Sequence, residues 1–255
     1  MFLPSTNEII LYNRNRNASS VLVDWETGSQ YTSVLMYLFT NTLKFRSGRH
    51  EMIMQITIAI LIGYAFGCIQ SAYILSKTVG KTDIREHGSG NAGASNITAI
   101  MGLKFGVITG LVDVLKGVLA VLVVKWIYPD SPNLAYLAGI MAIIGHIFPF
   151  FMKFRGGKGV ATLIGMMFGL NWKLGILFIL LIAVPALLTD YIVIGSFTTF
   201  IALPIVTYVS DYPFLFTIIA MALTILCFYL HRANIQRIIN KEEIKIRATL
   251  KKKRT

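Results

Sequence analysis

Charged side chains are scarce in this sequence. Asp, Glu, Lys and Arg make up 14% of its 255 residues, against about 25% in an average soluble domain. There are only two cysteines, and both lie inside apolar runs, which excludes a disulfide framework, a cysteine-based zinc site and a redox pair. The sequence also lacks a histidine–cysteine cluster and a pair of carboxylates spaced for acid–base chemistry. We therefore predict an activity that needs no metal and no cofactor.

Apolar residues, in contrast, are abundant at 55% and are concentrated in long runs. A helix needs about 20 apolar residues to cross a bilayer. Seven candidate runs follow one another, of which the fourth is short: Met52–Leu75, Phe105–Trp126, Leu134–Phe151, Val160–Leu170, Leu174–Leu188, Tyr191–Val209 and Pro213–Leu230. The sequence thus predicts an all-α integral membrane protein with about seven transmembrane helices.

The cations predict the orientation of these helices. The net charge is +12, but the basic residues cluster in the connections after the first and third runs and in a tail with nine of them from Arg232 to Arg254. Such clusters are typical of the cytoplasmic side of a membrane protein and not of a nucleic-acid-binding surface. With seven spans, a cytoplasmic C-terminus places the N-terminus outside.

Three regions are predicted along the chain. Residues 1–51 form an N-terminal extension without a spanning run, residues 52–243 form the seven-span domain, and residues 244–255 form a basic cytoplasmic tail. Two alternatives stay open for the extension. It is translated as written, or translation starts at Met52 or Met54 and the extension is not part of the protein.

The first polar motif is Gly88–Asn96, between the first two runs. Gly88, Gly90 and Gly93 permit positive φ angles and expose backbone N–H groups, and the residues between them add small polar side chains. A flexible linker would have a similar composition. The alternation of glycine and polar residues at a membrane edge favours a ligand site.

The second motif runs from Gly145 to Thr162 and contains three glycines around Lys158. Glycines let a backbone approach an anion closely, and lysine supplies a positive point charge. The motif does not fit a nucleotide-binding P-loop, because Lys158 is followed by Gly159 and not by Ser or Thr. It predicts a phosphate site without nucleotide. The alternatives are topology-setting cations at Lys158 and a helix-packing role for His146.

The third motif begins at the end of the last run. His231 and Asn234 are three residues apart and predicted on one helix face, which Arg237 continues. The alternative is a basic helix on anionic lipid. Asp113 and Lys116 are also three residues apart, inside the second run, and predict a buried ion pair and not a reacting group.

Together, these three motifs closely resemble those of the bacterial membrane family that transfers an acyl group from acyl phosphate to glycerol 3-phosphate. The resemblance covers roughly residues 53–243 and includes the segment from Asp113 to Gly117. It implies a seven-span monomer in the bacterial plasma membrane, with an active site that faces the cytoplasm. It also implies that the glycerol 3-phosphate hydroxyl attacks the acyl-phosphate carbonyl, which yields lysophosphatidic acid and phosphate in the first step of phospholipid synthesis. Membrane lipid is the remaining partner, and no nucleic acid is expected.

The resemblance assigns catalytic roles to four residues: Ser89, Lys158, His231 and Asn234. For His231 two roles are open, a general base and a holder of glycerol 3-phosphate, and we favour the second because the donor phosphate can itself accept the proton. Residues of the motifs and their surroundings are candidates for binding substrate or phosphate: Gly88, Gly90, Asn91, Gly93, Asn96, Lys104, His146, Gly156, Gly157, Gly159, Thr162, Ser196 and Arg237.

This chain departs from the family pattern at three positions. Ala99 stands where the family usually has an arginine, Asp190 stands where members tend to be basic, and Asn240 stands at the usual final glycine of the third motif. The loss of an arginine that binds phosphate would weaken substrate binding. Our hypothesis is that Lys104, the nearest downstream cation, replaces it.

A membrane transporter or channel for a small phosphorylated anion is the alternative function. It predicts inverted repeats in the two halves and polar groups at the middle of the membrane. The sequence shows no convincing repeat, and its polar motifs are predicted at one membrane face.

Overall fold

A computed structural model describes the backbone of residues 30–251 and the side chains of residues 48–248, and it contains no strand within this range. The chain divides into two compact units between Met54 and Gln55. The described helices are α1 Gln30–Gly67, α2 Ser71–Thr78, α3 Ala94–Met101, α4 Leu103–Ile127, α5 Pro132–Ile147, α6 Val160–Leu170, α7 Trp172–Thr189, α8 Ile192–Val209, α9 Phe214–Leu230, α10 Arg232–Ile239 and α11 Ile246–Lys251. Two 3₁₀ turns, Ile84–Glu86 and Phe150–Met152, complete the described elements.

Five segments of this range are long and apolar enough to cross a membrane: Gly48–Thr78, Leu103–Ile127, Pro132–Met152, Trp172–Thr189 and Ile192–Val209. The helices α9 and α10, bent by 50° at their junction, form a sixth if they are counted as one span. Helix α6 is apolar but has only 11 residues, which rise about 16 Å, half of a bilayer core of about 30 Å. The predicted helical membrane fold is confirmed, while the number of spans in the described residues is five or six.

Glycines bring α4 and α6 into backbone contact. A Cβ added at Gly165 would lie 2.0 Å from the carbonyl oxygen of Val114, and one at Gly117 would lie 2.4 Å from that of Thr162. Small residues at such positions let helices pack closely where no hydrophobic effect drives association. The contact places the first turns of α6 beside the middle of α4.

Two predicted segments differ from the structure. The connection between the first two predicted runs, which was not predicted to be helical, contains α3, and this helix begins inside the first motif. The run Met52–Leu75 is interrupted between α1 and α2. At this break the buried Gln70 donates its side-chain N–H to the carbonyl of His146 at 3.0 Å. Hydrophobicity predicted this apolar run but carried no information on a break that is stabilised by a distant residue.

Candidate active site

Two cavities lie where the polar motifs meet: residues of all three motifs line the smaller one, and residues of the first and third motifs line the larger one. The smaller has a volume of about 170 Å³ and the larger a volume of about 460 Å³. Six residues line both: Ser89, Ala94, Ser95, Ile192, Asn234 and Glu243. The predicted convergence of three segments, far apart in sequence, is therefore present in the structure.

Asn96 organises the first motif. Its side-chain oxygen accepts from the backbone N–H of Ser89 at 2.9 Å, and its amide donates to the carbonyls of Ile84 and His87 at 3.0 Å each. A Cβ at Gly88 would lie 2.3 Å from the same oxygen, and Gly88 has a φ of 58°. Asn96 thus folds the loop that presents Ser89 to both cavities.

The loop is tied to the second motif at two points. Arg85 forms an ion pair with Asp83 at 2.8 Å and donates to the carbonyl of Met152 at 2.9 Å. The hydrogen bonds from Arg85 hold the pKa of Asp83 at about 2. The backbone N–H of Ala92 donates to the carbonyl of Gly156 at 3.4 Å. These bonds fix the first motif beside Lys158 and its glycines.

The glycines of the second motif have different roles. The N–H groups of Gly156 and Gly157 donate to the carbonyls of Ile147 and His146 at 3.0 Å each, so they do not point at a ligand. A Cβ at Gly157 would lie 2.0 Å from Nε2 of His146. The backbone here must be glycine because it packs directly on the imidazole.

Gly159, in contrast, lines the smaller cavity at the start of α6. It has a φ of 82° and is the residue that precedes the first turn of α6. Gly159, Val160 and Ala161 line the smaller cavity together with Lys158. The first N–H groups of a helix lack intrahelical partners and carry partial positive charge. The start of α6 and the Lys158 ammonium therefore make the smaller cavity attractive to a phosphate.

The third motif surrounds the same cavity. The Lys158 ammonium donates to Oδ1 of Asn234, whose Nδ2 donates to Glu243 at 2.7 Å. The other Glu243 oxygen accepts from Arg237 at 2.7 Å. An ammonium only donates and a carboxylate only accepts, so the two partners fix the orientation of the Asn234 amide. Burial, together with the positive charge of Arg237, lowers the pKa of Lys158 to about 8.

His231 lies at the junction of α9 and α10, where the chain bends. Its Nδ1 lies 2.9 Å from the carbonyl oxygen of Cys227, and its ring packs edge-on against Phe197. Because a carbonyl only accepts, Nδ1 carries the hydrogen. In the neutral ring, Nε2 is therefore a hydrogen-bond acceptor. His231 lines the smaller cavity.

The predicted site residues fall into three groups. Nine line the smaller cavity: Ser89, Asn91, Gly93, His146, Lys158, Gly159, Ser196, His231 and Asn234. Three others line only the larger one: Gly88, Asn96 and Arg237. Five line neither: Gly90, Lys104, Gly156, Gly157 and Thr162. Lys104 is exposed on the first turn of α4, so the structure does not bring it to the site.

Glu243 lines both cavities but was not predicted as a site residue. Glu243 follows Arg237 by six residues across the end of α10, a spacing that no helical face rule detects. The only feature of the sequence that could have indicated Glu243 was the presence of an acidic residue in a basic tail. Ile244 and Ile246 line the larger cavity, so the site extends into the segment that was assigned to the tail.

The predicted ion pair in the second run is confirmed, with the Lys116 and Asp113 side chains 2.9 Å apart and buried. Asp113 also lines the smaller cavity, which the sequence analysis did not predict.

Residues 57–241 match the family model described as glycerol-3-phosphate acyltransferase. A glycerol-3-phosphate acyltransferase of Thermoanaerobacter pseudethanolicus is 39% identical over 196 residues, which are 76% of this chain and 96% of the relative. One of Pelagibacter ubique is 41% identical over 193 residues, which are 75% and 98% of the two chains.

Among solved structures, the chain is similar to PlsY (YgiH), an integral membrane glycerol 3-phosphate acyltransferase. The crystal structure of its glycerol 3-phosphate form has a TM-score of 0.67 and 29% identity, over 75% of this chain and 95% of that one. The lysophosphatidic acid form has a TM-score of 0.64, over 74% and 94%. From the family match, the relatives and the helical membrane fold, we conclude that this chain belongs to the glycerol-3-phosphate acyltransferase family and is an integral membrane acyltransferase.

Proposed function

We propose that this protein transfers a fatty acyl group from acyl phosphate to glycerol 3-phosphate, giving lysophosphatidic acid and phosphate, the first step of phospholipid synthesis. The observation that carries the proposal is the smaller cavity. Ser89, Lys158 and His231, one from each motif, line it together with the start of α6. This arrangement supplies positive charge to two phosphorylated substrates and polar groups to orient them.

The reaction forms one carbon–oxygen bond and breaks another, and the proton of the attacking hydroxyl ends on the released phosphate. The hydroxyl oxygen of glycerol 3-phosphate attacks the acyl carbon, and the bond between that carbon and the bridging oxygen breaks. The bridging oxygen leaves with the electron pair as part of phosphate. Lys158 and the N-terminus of α6 offset the negative charge of the leaving phosphate. Acyl phosphate is already activated, so the reaction requires no covalent intermediate with the protein.

We assign His231 to the attacking hydroxyl and not to a phosphate. The neutral ring keeps Nε2 as an acceptor because Nδ1 donates to the Cys227 carbonyl. An acceptor can hold or deprotonate a hydroxyl, whereas a phosphate oxygen requires a donor. This assignment replaces the role favoured by the sequence analysis, which was to hold the glycerol phosphate.

The apolar part of the larger cavity suits the acyl chain, while its polar part, with Arg237, adjoins the smaller cavity through the shared residues Asn234 and Glu243 and is left for glycerol 3-phosphate. The lining of the larger cavity is mainly apolar beyond the polar residues that it shares with the smaller cavity, and includes Leu103, Val107, Ile244 and Ile246. An apolar cavity with few convergent polar groups is the usual form of a site for an amphipathic ligand.

We further propose that the protein is a monomer in the bacterial plasma membrane, with residues 52–243 as a seven-span domain. The seventh span requires the short helix α6 together with its flanks. The cations Lys153, Arg155 and Lys158 support a cytoplasmic position of the site and of the C-terminus, with the N-terminus outside.

Ala99 stands where the family usually has an arginine, and two variants test which cation of this chain takes the place of that arginine. Ala99 lines the larger cavity, as does Arg237, whereas Lys104 does not. We therefore expect Arg237→Gln to raise the KM for glycerol 3-phosphate about tenfold or more, and Lys104→Ala to leave it unchanged. Steady-state kinetics at varied glycerol 3-phosphate check this. A sharp rise of KM in Lys104→Ala alone would restore our initial hypothesis that Lys104 replaces the arginine.

The lowered pKa of Lys158 predicts a pH dependence. The ammonium is charged below a pH of about 8 and loses its charge as the pH rises through that value, so anion binding is present below it and lost above it. We expect kcat/KM for glycerol 3-phosphate to fall about tenfold per pH unit above this pH. In Lys158→Arg this decrease of kcat/KM should begin at a higher pH, because arginine stays charged. If kcat/KM of Lys158→Arg fell at the same pH as that of the unmodified protein, the ionisation of Lys158 would be excluded as the cause of the decrease.

The acyl donor is tested by a direct comparison. Purified protein is supplied with glycerol 3-phosphate and, in parallel, with acyl phosphate, acyl-CoA or acyl carrier protein. We expect lysophosphatidic acid only with acyl phosphate, together with an equal amount of phosphate. Product from acyl-CoA or acyl carrier protein but not from acyl phosphate would overturn the proposed donor, and no product with any donor would overturn the proposed reaction.

A further inference from the structure

Beside the smaller cavity lies a buried group of ionisable side chains that the reaction above does not use. Lys116, Asp113 and His146 are 2%, 2% and 4% exposed. The Lys116 nitrogen lies 2.9 Å from Asp113, 2.7 Å from Nδ1 of His146 and 2.6 Å from the carbonyl oxygen of Ile69. The hydroxyl of Ser71 donates to the same Asp113 oxygen at 3.0 Å.

These contacts determine where His146 carries its hydrogen. An ammonium has three donors and no acceptor, and Lys116 has three partners. A neutral amine could accept from Nδ1, but it would leave the buried Asp113 carboxylate without a compensating charge, which is costly. Asp113 is not the partner of Nδ1, because their separation of 3.6 Å is too long for a hydrogen bond. Nδ1 therefore accepts from Lys116, and Nε2 carries the hydrogen.

The Nε2 atom is on the side of the second motif. A Cβ at Gly157 would lie 2.0 Å from it, and His146 lines the smaller cavity. Among the residues whose side chains are described, Nε2 of His146 has no hydrogen-bond partner. The ring thus keeps an unused N–H donor on a residue that lines the smaller cavity, beside Lys158 and the start of α6.

His231 lines the same cavity with the opposite tautomer. Its Nδ1 donates to the carbonyl of Cys227, so its Nε2 is an acceptor. One imidazole at the cavity is a donor and the other is an acceptor, and in each case the partner of Nδ1 sets the tautomer.

We propose that Lys116 and Asp113 are positioning residues for acyl transfer: they hold His146 in the Nε2–H tautomer, which donates a hydrogen bond to a phosphate oxygen of the bound substrate. The proposal rests on the proposed function. Lys116 sets the tautomer of His146. Asp113 compensates the buried positive charge of Lys116, because an unpaired ammonium inside a membrane protein costs much free energy. A neutral donor in this place binds the phosphate without adding a further positive charge beside Lys158.

Nitrogen NMR of ¹⁵N-histidine protein tests the tautomer without any substrate. The chain has four histidines, and His146→Gln and His231→Gln identify the two signals. We expect the Nε2–H form for His146 and the Nδ1–H form for His231. In Asp113→Leu/Lys116→Met, which removes both charges together, the His146 signal should lose its single form. Lys125→Met is the control, since Lys125 lies on the same helix and donates to the carbonyls of Gly169 and Leu170. An Nδ1–H form of His146 in the unmodified protein would overturn the proposal.

Kinetics test whether the pair acts through His146. His146→Met should lower kcat/KM about 10- to 100-fold, as expected for a lost hydrogen bond to a charged group. His146→Gln, which restores an N–H donor, should recover part of it. Asp113→Leu/Lys116→Met should lose a similar amount, and adding His146→Met should cost little more. Fully additive losses in the triple variant would overturn the positioning role. Absence of lysophosphatidic acid with the unmodified protein would instead refute the proposed function, while the NMR result would stand.

Discussion

Lys158→Met is expected to lower kcat/KM for acyl transfer about 10²- to 10³-fold, the usual effect of removing a group that stabilises charge in a transition state. Lys158 is the cation that lines the smaller cavity beside the start of α6, and it also holds Asn234. Its loss removes the charge that offsets the leaving phosphate and frees the amide. We therefore expect kcat to fall and the KM for glycerol 3-phosphate to rise.

Lys153→Met is the matched control for this substitution. Lys153 belongs to the same connection between α5 and α6, but it is exposed and lines neither cavity. Its activity should stay within about twofold of the unmodified protein, as for most exposed positions. If Lys158→Met kept activity within tenfold, or if Lys153→Met lost as much, the cavity would not be the site of transfer.

Asn234→Asp should lower kcat/KM about 100-fold, although it only replaces the side-chain NH₂ group by an oxygen. The amide links two charges: Oδ1 accepts from Lys158, and Nδ2 donates to Glu243 at 2.7 Å. An aspartate would keep the first bond but place a carboxylate against that of Glu243. Two carboxylates at this distance repel, so one takes up a proton or the chain of hydrogen bonds opens.

The double variant Asn234→Asp/Glu243→Gln makes this prediction specific. It exchanges the carboxylate and the amide, so that a glutamine N–H can donate to the new aspartate. We expect recovery of at least about tenfold over the single variant. The control Asn171→Asp should change nothing, because the exposed Asn171 side chain only accepts from the N–H of Lys173 and aspartate does this equally well. A harmless Asn234→Asp, or a double variant no better than the single one, would contradict the role of this amide.

The membership of the site was largely predictable from the sequence. Ser89, Lys158 and Asn234 belong to motifs that stood out by composition and spacing, the family resemblance implied their catalytic roles, and all three line the smaller cavity. Each of these motifs is a short continuous segment, so its composition can be read without knowledge of the fold. The fold class was predictable for a similar reason, since a membrane-spanning helix has to be apolar over its length.

Roles that depend on distant partners were not predictable. Gly156 and Gly157 were expected to bring the backbone close to an anion, but their N–H groups donate to the end of α5. The reason is the packing on His146, which no local pattern shows. Helix α10 is followed by Asn240, with a φ of −78°, and the left-handed residue is its neighbour Lys241, with a φ of 61°. Spacing alone does not locate the end of a short helix to the residue.

Acyl transfer at the carbonyl is tested most directly with acyl phosphate that carries ¹⁸O in the oxygen between carbon and phosphorus. Purified protein in lipid vesicles converts it with glycerol 3-phosphate, and both products are analysed by mass spectrometry. Attack at the acyl carbon predicts equal amounts of lysophosphatidic acid and phosphate, with the label retained in the phosphate. Label in a released fatty acid, or phosphate without lysophosphatidic acid, would contradict the proposed reaction.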